Sequence, residues 1–469
     1  MSAFGSYRMN RGLTPTACLI SRGLAMPATT SADKIDRRTF TTATTAAAVA
    51  SAWGLRGQPA TAADQVRGAN DRVRIGFIGV GNRGMQLFNS FLRQKDVEIV
   101  AAADVFAPYL DKARKANGGQ LETTGDFRKL IDRHDLDAIV VATPDHWHAI
   151  QTIMACDSGK DVYVEKPLSI TVYEGRRMVE AARRNNRIVQ VGTHRRSSTT
   201  LAQLSEQVAK GKLGHVTVGQ AFRISDMFPG GIGKRQPTPA PKDLDWDMWL
   251  GPRPERKFQD NIAPYKFRWW HLYSSQMGNW GVHYFDVMRW MVGEVAPASI
   301  CALGGKFAID DDRTVPDTAQ AVLEFASGRL LIFGQYEATG TPLLPRGEAE
   351  LRGTQGTAYL FGDGSYSIEP ARGGQFESAK PRLDPVAVQS PGKLDDAHVR
   401  NFVDCVKSRQ RPNADVEIGH RSTTMSLLAN ISLATRLRLE WDMEKEQITN
   451  SKEANAMLHY EYRSPWKLG

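Results

Sequence analysis

The chain is 469 residues long, and its 41% hydrophobic and 24% charged side chains are typical of a soluble globular protein of two or three domains. This composition excludes a disordered tail, a collagen-like chain and a disulfide scaffold. After the N-terminal leader no run of about 18 apolar residues occurs, which excludes a multi-span membrane protein. Much of the net charge of +9 belongs to residues 1–62, with seven basic and two acidic side chains. We therefore expect no nucleic-acid partner.

Residues 1–62 have the pattern of a twin-arginine export signal. Arg37 and Arg38 precede an aromatic residue, then a mildly apolar Ala/Thr-rich stretch, then small residues spaced as signal peptidase prefers. The stretch is too short and too weakly apolar to anchor the mature protein in a membrane. We predict export to the periplasm, with translation starting at Met1 or Met26.

A strand–loop–helix–strand pattern predicts a Rossmann dinucleotide-binding domain. The apolar run at 73–79 is typical of a buried strand, and it leads into a GxGxxG sequence followed by a predicted helix at 85–94. The first glycine permits a tight turn, the second lets the pyrophosphate approach the backbone, and the third permits close helix packing. The predicted phosphate-binding residues are Gly79, Gly81, Asn82, Arg83 and Gly84.

The residue that follows the second predicted strand indicates which dinucleotide binds. This strand, at 98–103, ends at Asp104, twenty residues beyond the last glycine. An acidic residue at this distance accepts hydrogen bonds from the ribose hydroxyls and repels a 2′-phosphate. Val105 and Phe106 offer no cation that would attract that phosphate. The sequence therefore predicts NAD as the cofactor, with NADP less favoured.

The α/β alternation continues to about residue 192. Strands are predicted at 137–143, 161–165 and 188–192, with helices at 127–134, 171–185 and from an Asp145 N-cap to 158. Because parallel strands gather ligands at their carboxyl edge, the segments after these strands should surround one crevice. The further cofactor contacts predicted there are Thr143, Pro144, His148, Glu165 and Lys166.

Several motifs resemble those of the Gfo/Idh/MocA oxidoreductases. They are GFIGVGNRG at 76–84, ATPDHWH at 142–148, VEKPLS at 164–169 and GVHYFDVMRW at 281–290. The segments HVRNFVDC at 398–405 and GHRSTTMSLLANIS at 419–432 are similar to those of a twin-arginine-exported branch of this family. Together these motifs are specific, although each one alone is not.

The resemblance implies an α/β fold with two domains. Residues 72–194 would form the NAD-binding Rossmann domain, and residues 195–469 a C-terminal α/β domain with an open, mostly antiparallel sheet. Consistent with this, antiparallel pairs are predicted for 318–325 with 329–335 and for 348–352 with 357–361, and covering helices near 395–408 and 418–437. An exposed sheet face would favour a homo-oligomer, a dimer or a tetramer.

The resemblance also implies the catalytic residues. The lysine of the EKP motif, Lys166, would lie beside the nicotinamide and the reacting hydroxyl, and His283 would be its partner in proton transfer. The family often has Asp four residues before this histidine, where this chain has Asn279. Asp286 is retained downstream. Asn279 and Asp286 are therefore expected at the substrate site, and the usual pairing of an Asp with His283 is not expected.

The chemistry of the residue types agrees with these roles. Removing a hydride from a secondary alcohol needs a base for the hydroxyl proton and a cation to stabilise the developing alkoxide. Burial beside a positively charged ring lowers the pKa of a lysine, which then serves either purpose. With Asn279 in place of Asp, His283 becomes a weaker base, and Tyr284 or Tyr273 are alternatives for sharing its role. His283 also fits a purely structural histidine on an apolar helix.

Other clusters leave alternatives open. His194 and Arg196 fit contacts to substrate hydroxyls, and a solvated charge cluster explains them about equally well. His146 and His148 are separated by one residue and have no further clustered ligand, so no metal site is predicted. His148 is instead expected near the nicotinamide. Five of the ten tryptophans fall between positions 246 and 280, where they fit either stacking on sugar rings or a packed loop.

These features predict an NAD(P)-dependent oxidoreductase that transfers a hydride to or from a secondary hydroxyl of a sugar or polyol. Export from the cytoplasm favours a tightly bound cofactor that is recycled internally between two substrates. An NAD-dependent glycosidase that uses transient oxidation and elimination is the first alternative. A non-catalytic nucleotide- or sugar-binding protein on the same fold is the second.

Overall fold

The computed structural model describes residues 72–376 and 381–468. The predicted export signal at 1–62 lies outside these residues, so it stays a prediction. Over the described part of the chain, a six-stranded sheet is followed by a ten-stranded sheet. No helix in this part is long and apolar enough to cross a membrane.

The first sheet is parallel throughout. Its strands are β1 (Val73–Ile78), β2 (Val97–Ala103), β3 (Glu122–Thr124), β4 (Ala138–Val141), β5 (Asp161–Val164) and β6 (Val189–Val191). They lie in the order β3-β2-β1-β4-β5-β6, with every neighbour parallel. This is the doubly wound Rossmann arrangement that the sequence predicted. The strand order reverses between β1 and β4, where such sheets bind their ligands.

Helices cover both faces of this sheet. They are α1 (Asn82–Leu92), α2 (Ala107–Ala116), α3 (Arg128–Ile131), α4 (His148–Asp157) and α5 (Val172–Arg184), with 3₁₀ turns at Asp145–Trp147 and His194–Ser197. Helix α5 starts with a capping box, in which Thr171 and Glu174 satisfy each other's backbone N–H groups. Each helix buries apolar side chains against the strands. Helix α2 was not predicted from the sequence.

Three local predictions for the first domain were wrong in detail. The helix predicted from Met85 begins at Asn82, so the last glycine of the loop lies inside it. The helix predicted at 127–134 is only the short α3. Asp145 does not cap a helix; its buried carboxylate accepts a hydrogen bond from the hydroxyl of Ser274 instead.

The second sheet is mostly antiparallel. Its strands are β7 (Val216–Ile224), β8 (Ser299–Gly305), β9 (Thr318–Glu324), β10 (Leu330–Tyr336), β11 (Ala349–Gly353), β12 (Gly356–Leu360), β13 (Tyr366–Pro370), β14 (Val386–Val388), β15 (Leu439–Asp442) and β16 (Gln447–Ile448). They lie in the order β14-β13-β12-β11-β7-β10-β9-β8-β15-β16. The predicted hairpins β9–β10 and β11–β12 are confirmed. The neighbours β7 and β10 are parallel and lie at the centre of the sheet.

The helices of this part are α6 (Thr199–Ala209), α7 (Trp246–Leu250), α8 (Val282–Val292), α9 (Leu394–Ser408), α10 (Val416–Thr435) and α11 (Lys452–Ala456), with a 3₁₀ turn at Lys266–Trp269 and a π-helical turn at Met277–Gly281. Helices α6, α8 and α10 pack on one face of the second sheet in a shared apolar core. Helix α9 packs instead on the first sheet, where the ring of Phe402 lies against Phe91 and Tyr163. Burial of each such side chain stabilises the fold by about 1.5–3 kcal/mol.

Candidate active site

One cavity of about 360 Å³ brings together most of the predicted site residues. One wall comes from the carboxyl ends of β1, β2, β4 and β5, and the opposite wall comes from residues between 223 and 337. The predicted residues that line it are Gly79, Gly81, Asn82, Arg83, Asp104, Thr143, Pro144, Glu165, Lys166 and Asn279. Among the described residues, those predicted for the site that do not line it are Gly84, His148, His194, Arg196, His283 and Asp286.

The glycine loop has the shape that a dinucleotide needs. Gly79 has a positive φ of 87°, and a Cβ there would lie 2.7 Å from the backbone of Ala142. A Cβ on Gly84 would overlap the carbonyl oxygen of Gly79, so glycine alone lets α1 pack this close to the loop. No side chain caps the N-terminus of α1. Its first amides are therefore available to a phosphate, which the helix dipole also favours.

Asp104 follows β2 and holds the loop in place. Its carboxylate accepts hydrogen bonds of 2.9 Å from the backbone N–H groups of Val80 and Phe106. Burial raises the pKa of this carboxyl to about 6 despite those bonds. A carboxylate accepts about four hydrogen bonds, so capacity remains for ribose hydroxyls. The residues of the loop and Asp104 thus fit the cofactor that the sequence predicted.

Arg83 ties the loop to two other segments. Its Nε donates to Glu165 at 2.8 Å, and its two terminal nitrogens donate to the two carboxylate oxygens of Asp395 at 2.8 Å each. Asp395 lies in the first turn of α9. Arg83 therefore joins the nucleotide loop, the EKP segment and a helix from the C-terminal part of the chain.

Lys166 projects into the cavity from the end of β5. Its Nζ donates to the backbone carbonyl of Asn279 at 2.9 Å and to the side-chain oxygen of the same residue at 2.8 Å. Burial lowers the pKa of Lys166 to about 8. A lysine with this pKa exchanges its proton near neutral pH, as a general acid or base must.

Asn279 lies in the π-helical turn that precedes α8. Such turns are frequent at functional sites. The side chain of Asn279 contacts Lys166 and also donates to Gln276 at 3.2 Å. Gln276 in turn donates to Glu337 at 2.8 Å. The residue that replaces the usual Asp therefore contacts the lysine rather than His283.

His283 lies on α8, four residues after Asn279. Its Nδ1 is buried and has no hydrogen-bond partner among the described residues. Burial, followed by the charge of Lys166, lowers the pKa of His283 well below its usual value. Burial does the same to His194, whose ring centre lies 5.2 Å from that of His283. Two neutral imidazoles therefore lie side by side.

These observations match the models of known families. Residues 73–193 match the NAD-binding Rossmann fold of the Gfo/Idh/MocA oxidoreductase family, and residues 198–468 match the C-terminal α/β domain of the same family. The chain belongs to the Gfo/Idh/MocA family. The cofactor of this domain is accordingly NAD, as the loop and Asp104 predicted.

Curated relatives resemble only part of the chain. A glycosyl hydrolase family 109 protein from Shewanella sp. (strain W3-18-1) is 33% identical over 165 residues, and one from Shewanella putrefaciens is equally similar. Each match covers 34% of this chain and 36% of the relative. The chain therefore matches about a third of the length of these relatives.

Solved structures share the fold over a greater length. A levoglucosan dehydrogenase in complex with NADH and levoglucosan has a TM-score of 0.59 and 18% identity, covering 79% of this chain and 99% of the other. An aldose–aldose oxidoreductase from Caulobacter crescentus in complex with glycerol has a TM-score of 0.60 and 16% identity, with the same coverage. At this identity the similarity shows the two-domain fold of the Gfo/Idh/MocA family and no more.

Several predicted contacts of this family member serve the architecture. Arg196 donates through Nε to Asp286 at 2.9 Å, and Ser422 donates to the same carboxylate at 2.6 Å. This ion pair is buried, with exposed side-chain fractions of 8% and 1%, so the solvated cluster expected as one alternative is wrong for Arg196. His148 holds two loops together, with its ring nitrogens 2.8 Å and 3.0 Å from the carbonyls of Pro167 and Thr143.

The alternative tyrosines also lie outside the cavity wall. Tyr273 is fully buried, and its hydroxyl has no partner among the described residues. The hydroxyl of Tyr284 donates to Glu348 at 3.3 Å, and burial raises its pKa to about 12. Neither tyrosine lines the cavity, whereas Lys166 does.

The segment rich in tryptophan lies partly on the cavity wall and partly in an apolar cluster, so stacking on sugar rings stays a prediction. Trp249, Trp269 and Trp280 line the cavity. Trp270 does not, and it packs in an apolar cluster with Trp249. In the described part of the chain, no cluster of His, Cys, Asp or Glu could hold a metal ion.

Two residues of the far wall were not predicted. Arg223 and Glu337 come from β7 and from just beyond β10, and both line the cavity. Glu337 accepts hydrogen bonds from Trp269, Gln276 and Arg313, and burial raises its pKa. These residues belong to no short motif. Only the register of β7 on β10, where Arg223 lies opposite Gln335, indicates that they share one wall.

Proposed function

We propose that this protein is an NAD-dependent oxidoreductase that acts on a secondary hydroxyl of a sugar or polyol. The observation that carries the proposal is the position of Lys166. Its ammonium lies on the wall of the same cavity as the glycine loop and Asp104, and Asn279 holds it there. The pair of a dinucleotide cradle and a lysine of lowered pKa fits hydride transfer from an alcohol.

The proposed chemistry assigns one task to each part of the wall. Bound NAD would accept or return the hydride. Lys166 in its neutral form takes the proton of the substrate hydroxyl, and in its charged form it stabilises the alkoxide. The two oxygens of Asn279 fix the Nζ atom and stabilise its charged form. His283, which is neutral because burial lowers its pKa, is the proposed partner of Lys166 in proton transfer.

Export remains part of the proposal and rests on the leader sequence alone. Outside the cytoplasm little free NAD is present, so the cofactor would have to stay bound and be recycled, with one sugar oxidised as another is reduced. The cavity supports this because its nucleotide wall is joined to the C-terminal part through Arg83 and Asp395. We also propose that the protein is a homo-oligomer, a dimer or a tetramer, that associates through the second sheet.

The second candidate is an NAD-dependent glycosidase, which the similarity to glycosyl hydrolase family 109 proteins favours. Transient oxidation of a sugar hydroxyl acidifies the neighbouring C–H bond, so that the glycosidic bond is eliminated; water then adds and the carbonyl is reduced again. Net oxidation is zero in this case. Release of the aryl group from aryl glycosides without net reduction of NAD would select the glycosidase over the dehydrogenase.

The deciding experiment identifies the nucleotide that the protein retains. The chain is purified without added nucleotide and denatured, and the released material is analysed by mass. We expect NAD at close to one per chain. NADP would contradict the assignment of Asp104. A protein that is empty and also fails to bind added NAD would exclude the oxidoreductase and favour the non-catalytic binding protein.

A further inference from the structure

The cavity wall opposite the glycine loop holds the guanidinium of Arg223, which no residue in the described part of the chain neutralises. Arg223 lies near the end of β7 and stacks on the indole of Trp280, with its guanidinium carbon 3.8 Å from the ring centre. The side chain lines the cavity and is partly buried. Stacking on an indole fixes the plane of the guanidinium while leaving its N–H edge available.

No residue in the described ranges accepts a hydrogen bond from the Arg223 side chain or forms an ion pair with it. Its Nε is buried without a partner. Leaving a buried donor of a charged group unpaired is costly, so proteins normally supply an acceptor. An acceptor on the bound ligand would explain why no described residue accepts a hydrogen bond from Arg223.

Three of the carboxylates that line the cavity are already engaged, and the fourth, that of Asp104, accepts from the glycine loop. Glu337 is paired with Arg313, and Asp145 accepts from Ser274. On the nucleotide side, Glu165 is paired with Arg83. Each of these groups has a partner of its own, which leaves Arg223 as a cation available to the ligand.

Arg223 and the proposed catalytic residue, Lys166, contact adjacent residues of the chain. Lys166 contacts Asn279, and Arg223 stacks on the adjacent residue, Trp280. A ligand held between these neighbours would place a hydroxyl at Lys166 and another group at Arg223. The planar fork of a guanidinium matches a carboxylate in two parallel hydrogen bonds.

We propose that the substrate is an acidic sugar, with a carboxylate bound by Arg223. This inference rests on the proposed oxidoreductase function and narrows its substrate class to hexuronic acids and their glycosides. Arg223 acts as a specificity-determining residue, because a neutral sugar would leave its guanidinium without a counter-charge.

The test compares matched pairs of ligands on the NAD-loaded protein. Methyl glucuronide, galacturonide and mannuronide are titrated by calorimetry against the corresponding neutral methyl glycosides. We expect at least one acid to bind about ten- to a hundredfold more tightly than its neutral partner, the range for a hydrogen bond to a charged group. Added salt should reduce the preference.

Variants at Arg223 separate recognition from folding. Arg223→Gln should remove the preference for the acid without weakening NAD binding or lowering Tm, whereas Arg223→Lys should retain part of the preference. The control is Arg438→Gln, which removes an exposed arginine that does not line the cavity and should keep the full preference.

The outcomes distinguish the two proposals. Acid binding that depends on Arg223, without reduction of NAD or glycoside cleavage, would uphold this inference and contradict the proposed function. Turnover of neutral sugars as efficiently as acids would uphold the function and overturn the inference. Failure of all three acids to bind, or an unchanged preference in Arg223→Gln, would also overturn the inference.

Discussion

At the scale of single residues, the substitution of Asn279 for the usual Asp changes how the lysine is held. An aspartate at 2.8 Å from the Nζ atom of Lys166 would form an ion pair and raise the lysine pKa. The neutral amide of Asn279 accepts the same hydrogen bond without that charge, so burial dominates and the pKa falls to about 8. The asparagine therefore favours a lysine that is ready to accept a proton.

We predict that Lys166→Met abolishes turnover without harming the fold. The rate should fall by about a thousandfold, the usual contribution of a positioned acid or base, while NAD stays bound. Below pH 8 the wild-type protein carries a buried ammonium whose pKa lies below the usual 10.5. This destabilises the folded state, and the penalty is relieved as pH rises from 8 to 10.5. The variant should therefore melt at the same temperature as the wild type or a few degrees higher at pH 7.

The pH dependence of the oxidation rate and a control variant at Lys160 test the same assignment. The wild-type rate of alcohol oxidation should rise with pH up to about 8 and then level off, because the neutral amine accepts the proton. Lys160→Met is the matched control, since Lys160 is also buried but does not line the cavity. A Lys166→Met enzyme that retains a tenth of the wild-type rate would contradict the assignment.

At the scale of secondary-structure elements, the sequence predicted what local patterns determine. The buried strand at 73–78 and the hairpin of β9 with β10 were found because their periodicity and turns are local. Asp145 was predicted as a helix cap because local spacing could not show Ser274, which lies 129 positions away. The π-helical turn at 277–281 was not predicted either, because no short sequence pattern indicates such a turn.

Gly84 tests the packing of α1 against the loop. We predict that Gly84→Ala destabilises the protein by about 1–3 kcal/mol, because the new methyl group overlaps the carbonyl of Gly79 and backbone must move. The displaced loop should also bind NAD more weakly. Urea unfolding and NAD titration measure the two effects.

A second glycine provides the comparison. Gly230 lies in an exposed loop where an added Cβ would meet no atom within 4 Å. Gly230→Ala should change stability by less than about 0.5 kcal/mol and leave NAD affinity unchanged. Equal effects of the two substitutions would show that the close approach at Gly84 is not what the loop requires.

At the scale of the whole molecule, the nucleotide domain depends on segments far along the chain. Helix α9 supplies Phe402 to its core and Asp395 to Arg83 of the glycine loop. Near the C-terminus, Trp466 packs edge-on against Trp147, which lines the cavity, with ring centres 4.6 Å apart. Neither contact was predicted, because the partners lie hundreds of positions apart and belong to different predicted domains.

We predict that Asp395→Asn weakens the contact between α9 and Arg83 of the glycine loop. Burial opposes ionisation of Asp395, but the hydrogen bonds from Arg83 outweigh it and lower the pKa to about 2. The ionised pair therefore stabilises the fold above the unfolded pKa near 4, and this contribution is lost as pH falls through 2. At pH 7 the variant should lose about 1–2 kcal/mol of unfolding free energy and bind NAD more weakly.

The neighbouring acid serves as the control for this measurement. Asp396 pairs with Arg93, whose side chain is 47% exposed, against 22% for Arg83. Asp396→Asn should therefore cost less than about 1 kcal/mol and leave NAD affinity unchanged. The difference in unfolding free energy between wild type and Asp395→Asn should also become smaller as pH falls from 4 to 2. A difference that stays constant with pH would mean that the ion pair does not cause it.

The parallel pairing of β7 with β10 also determines when the cavity can form. Val218 lies opposite Leu330, so these neighbours are roughly a hundred residues apart in the chain. Closing so long a loop is slow compared with forming the local contacts of the glycine loop. During synthesis Arg223 and Glu337 therefore reach their places only after both strands have emerged and paired. Selection of a substrate thus requires the second sheet to assemble first.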